Sequence, residues 1–243
     1  MTARRMERGP WVERRHYEYM SGRAHARARA RVLTLTALTA AVALTAGCDA
    51  TATRGEGAVT SEERQVRGFE RVEASAGITV SVRIDPTPAV EVSAQANILP
   101  VIVTEVTNNT LQIHSAHAYT SSEPVVVVVT TPQLDGIALS GGSHGTVDGL
   151  ASDLLDIRLT GGSELTASGQ ASTVTLDMTG GSTADLEALS AATISVELSG
   201  GGDATVTASD RVQGTASGGT RLTVLGGAER SVDTSGDAVV TGD

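Results

Sequence analysis

Aromatic residues are nearly missing from this sequence: beyond residue 19 there are only Phe69 and Tyr119. A core built around large rings is excluded, and little remains on which a sugar ring could stack, so tight lectin-type binding is not expected. A single cysteine, Cys48, rules out an intrachain disulfide framework. Lysine is absent and all 18 cationic residues are Arg, so a lysine-bearing phosphate loop is excluded too. Long apolar runs are also wanting. The uncharged stretch 32–47 has 16 residues, short of the ~20 that a membrane-spanning helix needs.

That stretch suits the core of a signal peptide instead. Nine of the 18 Arg lie in residues 1–47 against three acidic residues, and Cys48 follows at once in Leu44-Thr45-Ala46-Gly47-Cys48. The segment resembles a bacterial lipobox, with Thr45 where such motifs usually carry Leu. The expectation is a lipoprotein-type signal peptide over 1–47, its start at Met20 a better fit than Met1, and a lipid on Cys48. The paired arginines Arg4-Arg5 and Arg14-Arg15 lack the flanking pattern of a twin-arginine signal. Residues 48–65, rich in Thr, Gly and Glu, read as a flexible tether. Without 1–47 the chain keeps nine Arg and 25 acidic residues, a net charge of −16. Such a charge disfavours nucleic acid and direct adhesion to anionic lipid, so membrane attachment has to come from the lipid.

What the chain has in abundance is glycine, and it is periodic. Ser140-Gly141-Gly142, Thr160-Gly161-Gly162, Thr179-Gly180-Gly181, Ser199-Gly200-Gly201, Ser217-Gly218-Gly219 and a worn Ser235-Gly236-Asp237 are separated by 20, 19, 20, 18 and 18 residues. Before each glycine pair, apolar residues fall on alternate positions: Leu155, Ile157, Leu159; Val174, Leu176, Met178; Ile194, Val196, Leu198. After it a second alternating strand follows, with Leu165 and Ala167, Ala184 and Leu186, Ala204 and Val206, Leu222 and Val224. A period of two means strands with one buried face, and excludes helical repeats. Strand, glycine corner, strand and a short return make one coil, so the fold expected is all-β, a right-handed parallel β-helix with coils of about 18–20 residues. Its last copy has no capping segment, which predicts self-association through the solenoid end, or fraying there.

Upstream, residues 66–135 carry strand signals throughout: 78–84 alternates, 102–107 and 111–113 form a hairpin around Asn108-Asn109, and the five valines of 125–129 predict a strand buried on both faces. Here the chain resembles a known family. Arg67-Gly68-Phe69-Glu70-Arg71-Val72, Gly77-Ile78-Thr79-Val80-Ser81-Val82, Asn97-Ile98-Leu99-Pro100, Thr110-Leu111-Gln112-Ile113 and Thr131-Pro132-Gln133-Leu134-Asp135-Gly136-Ile137 are similar to the opening of the putative auto-transporter adhesin, head GIN domain family. The resemblance covers about 66–243. It implies a right-handed β-helix on an exported bacterial protein, a role in cell adhesion, and no catalytic residues.

Stacking the coils aligns the outward residues two places before each corner: Ala138, Arg158, Asp177, Glu197, Thr215 and Asp233. Asp177 and Glu197 then become neighbours about 5 Å apart, the spacing of a retaining glycosidase's carboxyl pair. A solvated ladder partly neutralised by Arg158 is the stronger expectation, since a flat sheet offers no cleft. His114 and His117 near Glu123, and His144 one coil before Glu164, lack a third convergent ligand, so no metal and no cofactor are expected. Gly200-Gly201-Gly202-Asp203 and Ser235-Gly236-Asp237 do not repeat the aspartate spacing of calcium-binding nonapeptides. The sequence therefore points to a lipid-anchored, extracytoplasmic envelope protein presenting a β-helical surface for adhesion or scaffolding, with a membrane or cell-surface protein as partner. The alternatives are a polysaccharide-active enzyme using Asp177 and Glu197, and an envelope protein that binds a membrane partner.

Overall fold

The computed structural model describes residues 52–242. The signal peptide expected over 1–47 and the lipidation site Cys48 lie outside the described residues. Within them the chain is a parallel β-solenoid. The first strands are β1 (Thr53–Arg54), β2 (Val59–Glu63), β3 (Arg71–Ala74), β4 (Thr79–Ile84) and β5 (Ala89–Gln95). A short 3-10 turn (Leu99–Val101) leads to β6 (Ile102–Thr107), β7 (Thr110–Ser115), β8 (Tyr119–Thr120), β9 (Val126–Thr131) and β10 (Gly136–Leu139). The regular coils follow as β11 (His144–Leu159), β12 (Glu164–Gly180), β13 (Thr183–Gly200) and β14 (Asp203–Gly218). The last are β15 (Arg221–Leu225), β16 (Glu229–Gly236) and β17 (Val239–Gly242).

Like stacks on like across the coils. Ile137, Ile157, Leu176, Val196 and Gly214 share one rung-to-rung ladder, and Leu139, Leu159, Met178, Leu198 and Ala216 another. Almost all of these point into a bore lined along these two ladders by aliphatic side chains and Met178, and Ile157, Leu176 and Val196 are fully buried. Parallel in-register stacking places identical side-chain types at one rung spacing, so a narrow interior fills without aromatics.

The return segment, expected to be a mere connection, is a third ladder. Leu150, Gly169 and Leu189 pair across β11, β12 and β13, as do Ser152, Ala171, Ala191 and Ala208 up to β14. Every register shift between coils falls beside this segment, between Val147 and Leu150, Thr166 and Gly169, Leu186 and Ser190, or Ala191 and Thr193. Coils of different length therefore stay aligned on their other two sides, because bulges take up the extra residues here.

The corners hold a fourth repeated residue besides the Ser/Thr and its glycines. Ser143, Ser163, Ser182 and Thr220 are buried, and each hydroxyl donates to the carbonyl of the corner residue three places back, over 2.8, 2.9, 3.0 and 3.2 Å. In four of the corners the repeat is thus Ser/Thr-Gly-Gly-Ser/Thr, a closed turn whose buried polar group is satisfied locally, whereas the Ser199 corner carries Gly202 at the fourth position. Replacing Ser163 by Ala leaves the Thr160 carbonyl without that donor and is expected to lower stability by about 1–2 kcal/mol. Ser163→Thr, which copies Thr220, should be nearly neutral, and urea denaturation midpoints measure both.

The glycines are not equivalent. Gly141, Gly142, Gly161 and Gly162 all have positive φ, whereas in the next three corners only Gly180, Gly200 and Gly218 do, and Gly181, Gly201 and Gly219 do not.

The amino-terminal half departs from chain order. β3 is inserted between β7 and β10, and β4 between β9 and β11. The first coil in sequence is therefore the one that the regular coils stack on. Residues 89–115 close the stack with antiparallel pairings, β5 against β9 and β6 against β7, the latter through Asn108 and Asn109 at φ 50° and 63°, the left-handed pair that a tight hairpin requires. Two expectations need correction. Val125, Val127 and Val129 are buried, but Val126 and Val128 are only half-buried, because one face of β9 lines the bore and the other looks outward. The tether expected over 48–65 is structured from Thr53 onward: β1 pairs with β8, and β2 pairs antiparallel with β5. All five β2 residues are exposed, so backbone pairing holds this strand and no hydrophobic pattern announces it.

Candidate functional site

The outward rows are the surface on which function has to be sought. The register pairs Arg158 with Asp177 and Asp177 with Glu197, then Glu197 with Thr215 and Thr215 with Asp233. The structure thus brings together the two carboxylates singled out in the sequence, one rung apart. Their environment is that of an open sheet. Asp177 accepts from Arg158 Nε at 3.3 Å, and Glu197 is exposed. Two clefts lie elsewhere. One of about 620 Å³ sits over the third ladder between Gln133, Asp135, Asp153, Leu154 and Gln170, and a second of about 430 Å³ is beside Tyr119 and Glu123. Neither cleft is lined by Asp177 or Glu197, so neither encloses a substrate at the carboxylate pair or excludes water there, conditions that general acid catalysis and glycan distortion rely on.

Cross-rung ion pairing recurs over the surface. Arg71 pairs with Asp156 at 2.5 Å, Arg221 with Asp203 at 2.9 Å and Arg211 with Glu229 at 3.2 Å, and His144 Nε2 lies 3.4 Å from the Glu164 carboxylate. The last three join adjacent rungs, whereas Arg71 reaches over Gly136 to the second rung, so coils are pinned in register by pairs individually worth at most about 1 kcal/mol when exposed. His144 is thereby engaged, and His117 Nε2 lies 2.8 Å from Thr53 Oγ1. Among the described residues, no three His, Cys, Asp or Glu side chains converge as a metal site would need. Residues 141–145, Gly-Gly-Ser-His-Gly, carry the Gly-Xaa-Ser-Xaa-Gly spacing of a nucleophile elbow. Ser143 is nevertheless wholly buried, with its hydroxyl donated to the Ser140 carbonyl, and is one more corner residue.

The two aromatics are structural. Phe69 is buried in the core, and Tyr119 donates its hydroxyl to the Ala76 carbonyl at 3.1 Å. Burial raises the Tyr119 pKa above its ordinary value. The stability linked to that ring is therefore present below the ordinary phenol range and is lost as pH climbs through the raised value.

Residues 68–228 fit the family described as "Putative auto-transporter adhesin, head GIN domain". The chain belongs to that family. Solved structures of the same fold include a putative adhesin from Bacteroides fragilis, 17% identical, with TM-score 0.62 over 78% of this chain and 99% of its own. Two others are putative adhesins from Parabacteroides distasonis, 16% identical with TM-score 0.54 over 79% and 100%, and from Parabacteroides merdae, 13% identical with TM-score 0.53 over 80% and 100%. At these identities the likeness is one of fold. Among curated proteins, none matches this chain.

Proposed function

We propose that this head GIN domain protein is a lipid-anchored, exported envelope protein whose solenoid surface serves adhesion or scaffolding, without enzymatic activity. The observation that carries the reading is the outward face itself, a regular array of Ser, Thr and cross-paired charges on a rigid stack. The carboxylate pair Asp177 and Glu197 stands on an open sheet beside Arg158. Family membership and the likeness in fold to putative adhesins support the same reading. Repeating surfaces of this kind bind extended partners through many weak contacts, which need no deep pocket and no aromatic platform.

Attachment rests on the Cys48 motif. Cys48→Ala is expected to abolish incorporation of radiolabelled palmitate and to move the chain from the membrane pellet to the soluble fraction. Adhesion is then tested by cross-linking on intact cells that display the wild-type chain. Recovery of a surface or envelope protein bound to the solenoid supports the reading. Release of sugar from a polysaccharide panel, lost in Asp177→Asn, would overturn it in favour of catalysis.

A further inference from the structure

We propose that the closed end of the solenoid, the end built by β1, β2, β5 and β6, faces the lipid bilayer, and that the opposite end points away from it. The proposal rests on the lipid anchor at Cys48 argued above, and adds an orientation to it. Two independent observations carry it.

The first is the length of chain left free. Four residues separate Cys48 from Thr53, and the five steps between them span at most about 18 Å fully extended. From Thr53 onward the segment is strapped to the solenoid. Thr53 N donates to Ala118 O and Gly55 N to Thr120 O. The Asn97 side chain acts as a substitute strand, its Nδ2 donating to Arg54 O at 2.7 Å and its Oδ1 accepting from Glu56 N at 2.8 Å. Buried Gln95 donates to Gly57 O, and β2 then pairs along β5 from Val59 to Glu63. In the ladder β2–β5–β9–β4–β11–β12–β13–β14–β15–β17, β2 and β17 are the two extremes. Nine rung spacings put β17 roughly 40 Å from β2. An anchor within about 18 Å of β1 therefore belongs to the closed end alone.

The second observation is charge. Residues 52–131 hold five Arg and nine acidic residues, a net of −4, whereas residues 132–242 hold four Arg and 14 acidic residues, a net of −10. An anionic bilayer repels the regular coils more than the closed end, so the solenoid stands off the surface and does not lie along it. The coil faces that carry Arg158, Asp177 and Glu197 are thereby presented outward.

The test uses the full chain, processed in bacterial membranes and reconstituted into phosphatidylethanolamine–phosphatidylglycerol vesicles carrying a lipid-linked energy-transfer acceptor. A donor dye is placed on Thr107→Cys, at the exposed tip of the β6–β7 hairpin, or on Thr241→Cys in β17. The Thr107 dye is expected to lose most of its emission and the Thr241 dye to keep most of its own. Asn97→Ala should loosen the strap and reduce transfer from Thr107. A 12-residue Gly/Ser insertion between Ala52 and Thr53, which leaves every strand intact, should reduce it as well. Equal transfer from both dyes with palmitate present on Cys48, or transfer from Thr107 unchanged by the insertion, would overturn the orientation alone. Absence of lipid on Cys48 would overturn the anchoring reading, and the orientation with it.

Discussion

Gly200→Ala is expected to lower the stability of the solenoid by about 3 kcal/mol, while Gly201→Ala, one residue further on, stays within about 0.5 kcal/mol of wild type. Gly200 has φ 108°, and a β-carbon built on it would lie 2.3 Å from the Gly180 carbonyl oxygen and 2.8 Å from the Gly180 nitrogen. Both atoms are backbone of the coil beneath, which cannot yield without breaking the ladder. The same column continues upward, since a β-carbon on Gly218 would lie 2.4 Å from the Gly200 oxygen. Gly201 has neither a positive φ nor any atom within 4 Å of its would-be β-carbon. Left-handed conformation and backbone clash therefore act together at one position and are both missing at its neighbour. Urea denaturation of the two variants, compared at equal slope, decides the matter. Equal midpoints would mean that the corners are not closed by backbone contact.

Leu176→Ala is expected to cost about 2–5 kcal/mol, and its effect should spread over two coils. Leu176 is fully buried and stacks between Ile157 and Val196. In a stack where each coil touches only its neighbours, a cavity in a central rung weakens the interfaces on both sides. Val240→Ala, in the outermost strand and only half-buried, should cost well under 1 kcal/mol. Hydrogen exchange checks the spread: Leu176→Ala should lower protection across residues 154–200, whereas Val240→Ala should alter only 221–242. A Leu176→Ala effect confined to β12 would contradict nearest-neighbour coupling.

These two variants also mark where sequence reasoning reaches. Leu176 was legible as a core residue because period two and a coil length of 18–20 place it on the same rung position as Ile157 and Val196. The same arithmetic aligned Arg158, Asp177 and Glu197 on one outward row, and the structure pairs them so. The different roles of Gly200 and Gly201 were not legible, since both belong to one repeated pair and only the path of the coil beneath separates them. The buried hydroxyl of Ser163 had a visible signal in the fourth residue of the corner, but hydroxyl residues crowd this sequence and hide a single periodic one. β1 and β2 left no signal. They bury no apolar face and are held by main-chain groups, Asn97 and Gln95, which lie about 40 residues away.

The sequence by itself determined the repeating coil, its inward and outward positions and the register between coils, because in a solenoid each of these follows from contacts between residues about one period apart. The order of the amino-terminal strands, the third ladder that absorbs unequal coil lengths, and the strap that begins at Thr53 were decided only by the tertiary structure. Those features depend on pairings between segments of unlike sequence. Backbone hydrogen bonds make such pairings, and backbone hydrogen bonds leave little trace in side-chain pattern.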